Sequence, residues 1–157
     1  MEIREINKSD TDWIKQVFIE RWGGDFIVTR GKIYKIRELR GFIAELDNKN
    51  VGLITYKVKK GEIEIISLDS FLKNKGVGTN LVKAIMDLAK KEKIKRIWLI
   101  TTNDNLSALK FWENRGFCVT RVYPNAIEKS RKIKLSIPAF GENNIAIKDE
   151  IELEIKL

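Results

Sequence analysis

The segment Lys73-Asn74-Lys75-Gly76-Val77-Gly78-Thr79 has the composition of a phosphate cradle. Glycines let the main chain come close to a ligand. If a helix starts at Val77, the unpaired N–H groups of its first turn point outward with the positive end of the dipole. Lys73 and Lys75 add ammonium charge. Each charge-assisted hydrogen bond to phosphate contributes about 1.5–3 kcal/mol, so a few suffice for micromolar binding of a diphosphate. A plain strand-to-helix turn has the same composition. Two familiar nucleotide motifs do not fit: Gly76-Val77-Gly78-Thr79-Asn80-Leu81 lacks the third glycine of the dinucleotide fingerprint and has no Gly-Lys-Ser/Thr end.

The remaining chemistry is bounded by what the chain lacks. It has no histidine and one cysteine, Cys118, so it has no Ser-His or Cys-His pair, no zinc ligand set and no internal disulfide. Acid-base work falls to carboxylates, Tyr, Lys or water. Glu62 and Glu64 share one face of a strand by alternation, with Asp69 a third choice; exposed glutamates on a half-solvated sheet follow the same pattern. Cys118 lies in an apolar stretch without a partner base and reads as a small buried hydrophobe. Thirty Lys and Arg against 22 Asp and Glu give +8, which favours a phosphorylated cofactor, an acidic substrate or nucleic acid. The basic run Lys90 to Arg96 ends an amphipathic helix, where lysine suits solvent and the dipole.

Those residues need elements to hold them. Glu2 to Ile6 alternates as a short strand, and Ser9 or Asp10 caps a helix through Trp13, Ile14, Val17 and Phe18 that stops near Trp22, before Gly23-Gly24. Asp25 to Leu39 mixes apolar and basic side chains without clean periodicity and reads as irregular or short helical structure facing the substrate. Gly41–Leu46 and Val51–Val58 flank Asp47-Asn48-Lys49-Asn50 as a hairpin, and Glu62–Leu68 follows as a strand. Val77 to Lys91 carries one apolar stripe and is the clearest helix. Arg96–Thr101 is a continuous apolar run, as a strand covered on both faces requires, so strand, helix and strand form a parallel crossover in a mixed sheet. Helix Leu106–Asn114, strand Phe117–Tyr123, a short helix Asn125–Lys132 and an alternating strand Glu150–Leu157 complete the chain.

At 157 residues with 43% apolar content, no internal repeat and no linker, residues 1–157 read as one domain. No apolar run approaches the roughly 18 residues of a membrane span, and the charged N-terminus is unlike a signal peptide, which points to the cytoplasm.

Together with Asn105-Leu106-Ser107-Ala108-Leu109-Lys110-Phe111-Trp112-Glu113-Asn114-Arg115-Gly116-Phe117, the glycine segment resembles the two signatures of the GNAT superfamily of acetyl-CoA-dependent N-acetyltransferases. These are Arg/Gln-x-x-Gly-x-Gly/Ala and Asn-x-x-Ala-x-x-Phe-Tyr-x-x-x-Gly-Phe. Lys73 stands where Arg or Gln is usual, Ser70 at a common proline position, and Trp112 where the family has Tyr. The resemblance covers Phe42 to Tyr123.

It implies an α/β fold with a mixed, largely antiparallel sheet flanked by helices and a splayed parallel strand pair that receives the pantetheine arm. It further implies direct transfer from acetyl-CoA to the primary amine of a small molecule or peptide, with no acyl-enzyme and no metal. The Leu68 N–H would polarise the thioester carbonyl; Lys73, Lys75, Gly76, Val77, Gly78 and Thr79 would hold the diphosphate, with Asn105 and Trp112 also on the cofactor. Glu64 or Glu62 would take the amine proton. Indole cannot release a proton as the family's Tyr does, so Tyr123, Tyr56 or water stands in for it; Trp112 reads equally as core. No nucleic acid or membrane is implied, and a homodimer stays open. Two rivals remain: an acyl-CoA-binding module with decayed catalysis, and a basic nucleic-acid-binding protein.

Overall fold

The computed structural model describes all of residues 1–157. In chain order the elements are β1 (Glu2–Glu5), α1 (Thr11–Trp22), β2 (Phe26–Thr29), β3 (Lys32–Lys35), β4 (Arg40–Leu46), β5 (Lys49–Lys59), β6 (Glu62–Ser70), α2 (Val77–Lys91), β7 (Arg96–Thr102), α3 (Leu106–Glu113), β8 (Cys118–Tyr123), α4 (Ala126–Ile133) and β9 (Glu150–Lys156). Seven strands form one sheet in the order β1-β4-β5-β6-β7-β9-β8, and β2 pairs with β3 as a separate hairpin. Only β6 and β7 run parallel. This is the α/β architecture expected from the motifs. No helix is long and apolar enough to cross a membrane.

Two apolar clusters sandwich the sheet. One joins the α2 stripe Val77, Leu81, Ile85, Leu88 and Ala89 to Ile54, Tyr56, Ile63, Ile65, Ile97, Leu99 and Leu153, with Trp112 and Phe117 beside them. The other joins Ile14, Val17 and Phe18 of α1 to Ile27 and Tyr34 of the hairpin and to Ile43, Leu53 and Ile66. Strand positions alternate between these layers, which is why the central strands are apolar on both faces.

Two expectations change. Asp25–Leu39 is a β-hairpin over its first part, not irregular or helical: Phe26–Thr29 pairs with Lys32–Lys35 around Arg30 and Gly31, both at positive φ. Cys118 is exposed, not buried, because β8 is an edge strand with most of its residues facing solvent. The C-terminal strand, present as its alternation predicts, inserts between β7 and β8. There its acidic face is largely enclosed, with Glu150 1% and Glu152 9% exposed.

Two features shape the centre. First, β6 pairs with β7 only from Glu62↔Arg96 to Ile65↔Leu99. Beyond Ile65 the two strands part, and β6 carries a register shift against β5 between Thr55↔Ser67 and Tyr56↔Ile65. Second, Gly52 of β5 lies under the head of α2, where a Cβ would stand 2.3 Å from Val77 Cγ1 and 3.1 Å from the Asp69 carbonyl. Only glycine lets the helix start that close to the sheet.

Candidate functional site

The turn before α2 opens onto a groove of about 820 Å³ lined by Leu68, Leu72, Lys73, Gly76, Gly78, Thr79, Asn105, Trp112 and Arg115, among others. Gly76 is the N-cap of α2 at φ 71° and provides no side-chain cap. The amides of Lys75, Gly76, Val77, Gly78 and Thr79 have no acceptor anywhere in the protein; the first paired amide is that of Asn80, which donates to the Gly76 carbonyl at 2.9 Å. A run of free, convergent N–H groups at a helix head is an anion site in waiting. A Cβ at Gly78 would press on the Phe111 ring at 3.2 Å, so the glycine keeps this wall low. The chemistry fits a diphosphate: backbone donors, a positive dipole end, and Lys73 at the rim. Lys75 is exposed beside the groove without lining it.

Arg115 is the residue that motif reading missed here. Its Nη1 donates to the Phe111 carbonyl at 2.8 Å and its Nη2 to Thr79 Oγ1 at 2.5 Å, with the guanidinium 3.4 Å over the Phe111 ring. No carboxylate pairs with it, its Nε is buried without a partner, and burial pulls its pKa down. The signal available was a cation four residues after the motif's Phe, in the turn that follows α3.

At its inner end the groove meets the gap between β6 and β7. The Phe71 N–H donates to the Val51 carbonyl at 2.9 Å. By antiparallel alternation, Asp69↔Leu53 and Ser67↔Thr55 are then the bonded pairs, and Leu68↔Ile54 is not. The Leu68 N–H therefore turns away from β5 into the gap, where pairing with β7 has already stopped. Asn105 caps α3 by accepting from the Ala108 amide at 3.2 Å, and lines both the groove and a small cavity of about 100 Å³ on the far side of the gap. Trp112 is buried, its ring 5.0 Å from those of Phe111 and Phe117, so it packs in the core while also reaching the groove wall.

Across the sheet, the β2–β3 hairpin roofs that small cavity with Ile27, Val28 and Thr29, and a larger one of about 520 Å³ with Arg30, Lys32, Ile33 and Tyr34. Glu62 and Glu64 both line the larger cavity. Glu64 is 8% exposed; Tyr34 OH donates to its Oε2 at 2.8 Å and Arg30 Nη2 lies 3.6 Å from Oε1. Burial pushes the Glu64 pKa up, against the opposing Tyr34 hydrogen bond and Arg30 charge. Glu62 is instead tied to Arg96 Nη1 at 3.4 Å, which also binds Glu152 at 2.8 Å and Glu154.

The other acids differ sharply. Burial raises Glu150, which accepts from Arg30 N–H and Ser130 OH at the edge of the small cavity. Burial also lifts Asp69 to about 6, opposed by the Trp22 indole that donates to it at 3.0 Å. Burial pushes Glu152 up too, but hydrogen bonds from Tyr123 and Arg96 outweigh it and hold its pKa below the ordinary carboxylate value. Tyr123 OH is spent on Glu152 at 2.9 Å and reaches neither groove nor cavity. The structure thus gathers Leu68, Lys73, Gly76, Val77, Gly78, Thr79, Asn105 and Trp112 at one groove and the two glutamates at one cavity, and leaves Lys75 and Tyr123 apart.

Comparison with known proteins gives three findings. The model of the "Acetyltransferase (GNAT) family" matches residues 8–117. The Bacillus subtilis (strain 168) "Uncharacterized protein YxbD" is 43% identical over 143 residues, 90% of either chain. Among solved structures, the "IAA acetyltransferase from Bacillus cereus ATCC 14579" covers 99% of both chains at TM-score 0.77 and 18% identity; a GNAT family acetyltransferase from Elizabethkingia anophelis, with acetyl-CoA bound, covers 78% of both at TM-score 0.68 and 22% identity.

Proposed function

We propose that this chain, which belongs to the acetyltransferase (GNAT) family, transfers an acetyl group from acetyl-CoA to the primary amine of a small molecule or peptide. The observation that carries the reading is the run of acceptorless amides from Lys75 to Thr79 beside a gap into which the Leu68 N–H turns. That combination suits a diphosphate joined to a long arm that needs strand-like partners. The acetyl-CoA held by the Elizabethkingia relative supports the same ligand.

Bound acetyl-CoA supplies an activated acetyl thioester. The amides of Gly76, Val77, Gly78 and Thr79 hold its diphosphate with Lys73, and Arg115 and Asn105 flank the groove. The Leu68 N–H donates to the carbonyl oxygen, most strongly as negative charge develops there. An amine entering under the hairpin arrives protonated at neutral pH and gives its proton through water to Glu64, which stands four residues along β6 from Leu68; the raised Glu64 pKa suits that task. Attack of nitrogen on the carbonyl carbon is followed by cleavage of the carbon–sulfur bond; the thiol's pKa of about 8.5 lets the thiolate leave without a phenol, and the second proton on nitrogen passes to that thiolate or to water. Trp112 serves as wall and core.

Calorimetry with coenzyme A, followed by a primary-amine panel with acetyl-CoA monitored for free thiol and for N-acetyl product by mass, tests the reading. Micromolar binding with turnover supports it. Binding without turnover favours an acyl-CoA-binding module, and salt-sensitive duplex binding that coenzyme A does not compete away favours the nucleic-acid reading.

A further inference from the structure

The larger cavity under the hairpin is lopsided in charge. Its floor is Glu64, Tyr34 and Trp98, and its mouth is ringed by Lys32 from the hairpin and by Lys57, Lys59 and Lys60 where β5 turns into β6. None of these four lysines has a carboxylate within ion-pair distance. The acids at hand are already engaged, Glu62 by Arg96 and Glu64 by Tyr34 and Arg30. Glu64 Oε1 and Arg30 Nε are buried without a hydrogen-bond partner, so the floor keeps polar capacity unspent. Four ammonium groups around one opening repel each other, and an incoming anion would relieve the repulsion.

Register sets how far such an anion sits from the reacting amine. Lys57 lies opposite Glu64 and Lys59 opposite Glu62, four and six residues along β6 from Leu68. At about 3.3 Å per residue the mouth is roughly 13–20 Å from the Leu68 amide. A free amino acid, with amine and carboxylate on one carbon, cannot span that. An extended peptide does so in about four to six residues.

We propose that the lysine mouth recognises an acidic peptide: the acceptor is an N-terminal amine followed, about four to six residues on, by Asp or Glu. The amine end rests on the acetyl-transfer reading, whereas the anion site stands on the lysines alone. The test uses Ala-Gly-Ser-Gly-Glu-Glu-Gly, its Gln-Gln counterpart, an isomer with the glutamates directly after Ala, and 4-aminobutyrate. Two quantities are measured: kcat/KM from thiol release, and Kd by calorimetry on the protein saturated with coenzyme A.

Against the Gln-Gln and shifted peptides, the first peptide should show about tenfold higher kcat/KM and about tenfold lower Kd. The margin should shrink between about 50 and about 500 mM sodium chloride, and vanish in the triple variant Lys57→Gln, Lys59→Gln, Lys60→Gln. Because that last readout is a ratio within one variant, partial loss of fold does not mimic it. Equal values for all peptides with acetylation intact overturn the lysine mouth and spare the transferase reading. Charge-selective binding with no acetylation keeps the mouth and overturns the transferase reading. A better rate with 4-aminobutyrate than with the acidic peptide overturns the peptide assignment.

Discussion

The two sides of the β6–β7 gap are built from different materials. On the α2 side the ligand-facing groups are main-chain amides, set by two glycines and a helix head within a few consecutive residues. On the hairpin side they are carboxylates, lysines and aromatic rings contributed by β2–β3, β5, β6, β7 and β9. A backbone cradle tolerates almost any side chain that keeps its dihedrals, so it suits a ligand that never changes. A side-chain pocket can be recoded one residue at a time, so it is where the acceptor is chosen.

The contrast can be broken from either side. The largest effect is expected from Gly76→Asp, which puts a carboxylate among the free amides: coenzyme A affinity should fall by about 10³-fold or more as charge-assisted bonds are lost and repulsion replaces them. Calorimetry checks this, and retained micromolar affinity would contradict the cradle. Next, Glu64→Gln keeps an acceptor for Tyr34 but removes the base. It should lower kcat/KM by about 10²–10⁴-fold with cofactor Kd unchanged. The wild-type rate should rise with pH through a carboxylate pKa set above the ordinary value by burial, and this limb should be missing from the variant's pH profile.

Gly52→Ala tests the support beneath the cradle. Its Cβ overlaps Val77, so the head of α2 must move; a cost of about 1–3 kcal/mol in denaturant unfolding should accompany about a tenfold rise in coenzyme A Kd. The smallest effect on turnover is expected from Asp69→Asn. Burial lifts Asp69 from 3.8 to about 6, so the folded state holds its proton more tightly than the unfolded chain, and stability falls as pH rises through that window. The amide variant should lack this slope and be more stable at pH 7 by up to about 3 kcal/mol, as melting curves at pH 5 and 7 will show.

The same contrast explains what could be read from sequence. The cradle is local: Gly76, Val77, Gly78 and the α2 stripe adjoin in the chain, so spacing alone exposes them. The strand order around α2 follows from the same run. The acceptor side is non-local. Glu64 meets Tyr34 across 30 positions and Arg30 meets Glu150 across 120, and no periodicity links such partners. The hairpin escaped because its strands are only four residues long, one an unbroken Phe-Ile-Val-Thr run and the other bounded by lysines, so neither shows a sustained period; the local signals were that β-branched run and Arg30-Gly31 at the turn. The alternation of Glu150, Glu152 and Glu154 did reveal a strand, but alternation cannot tell a solvated acidic face from one enclosed against Arg96, Ser130 and a hairpin. Cys118 read as core because Val119 and Val122 flank it, although both are substantially exposed on the sheet edge.

The parting of β6 and β7 also matters mechanically. The sheet is two rafts, β1-β4-β5-β6 and β7-β9-β8, sutured along only four facing residue pairs and joined in the chain by the α2 crossover. Anything that threads the open seam and bonds to both lips acts as a borrowed strand, so occupancy should stiffen the whole molecule and slow amide exchange in strands it never touches.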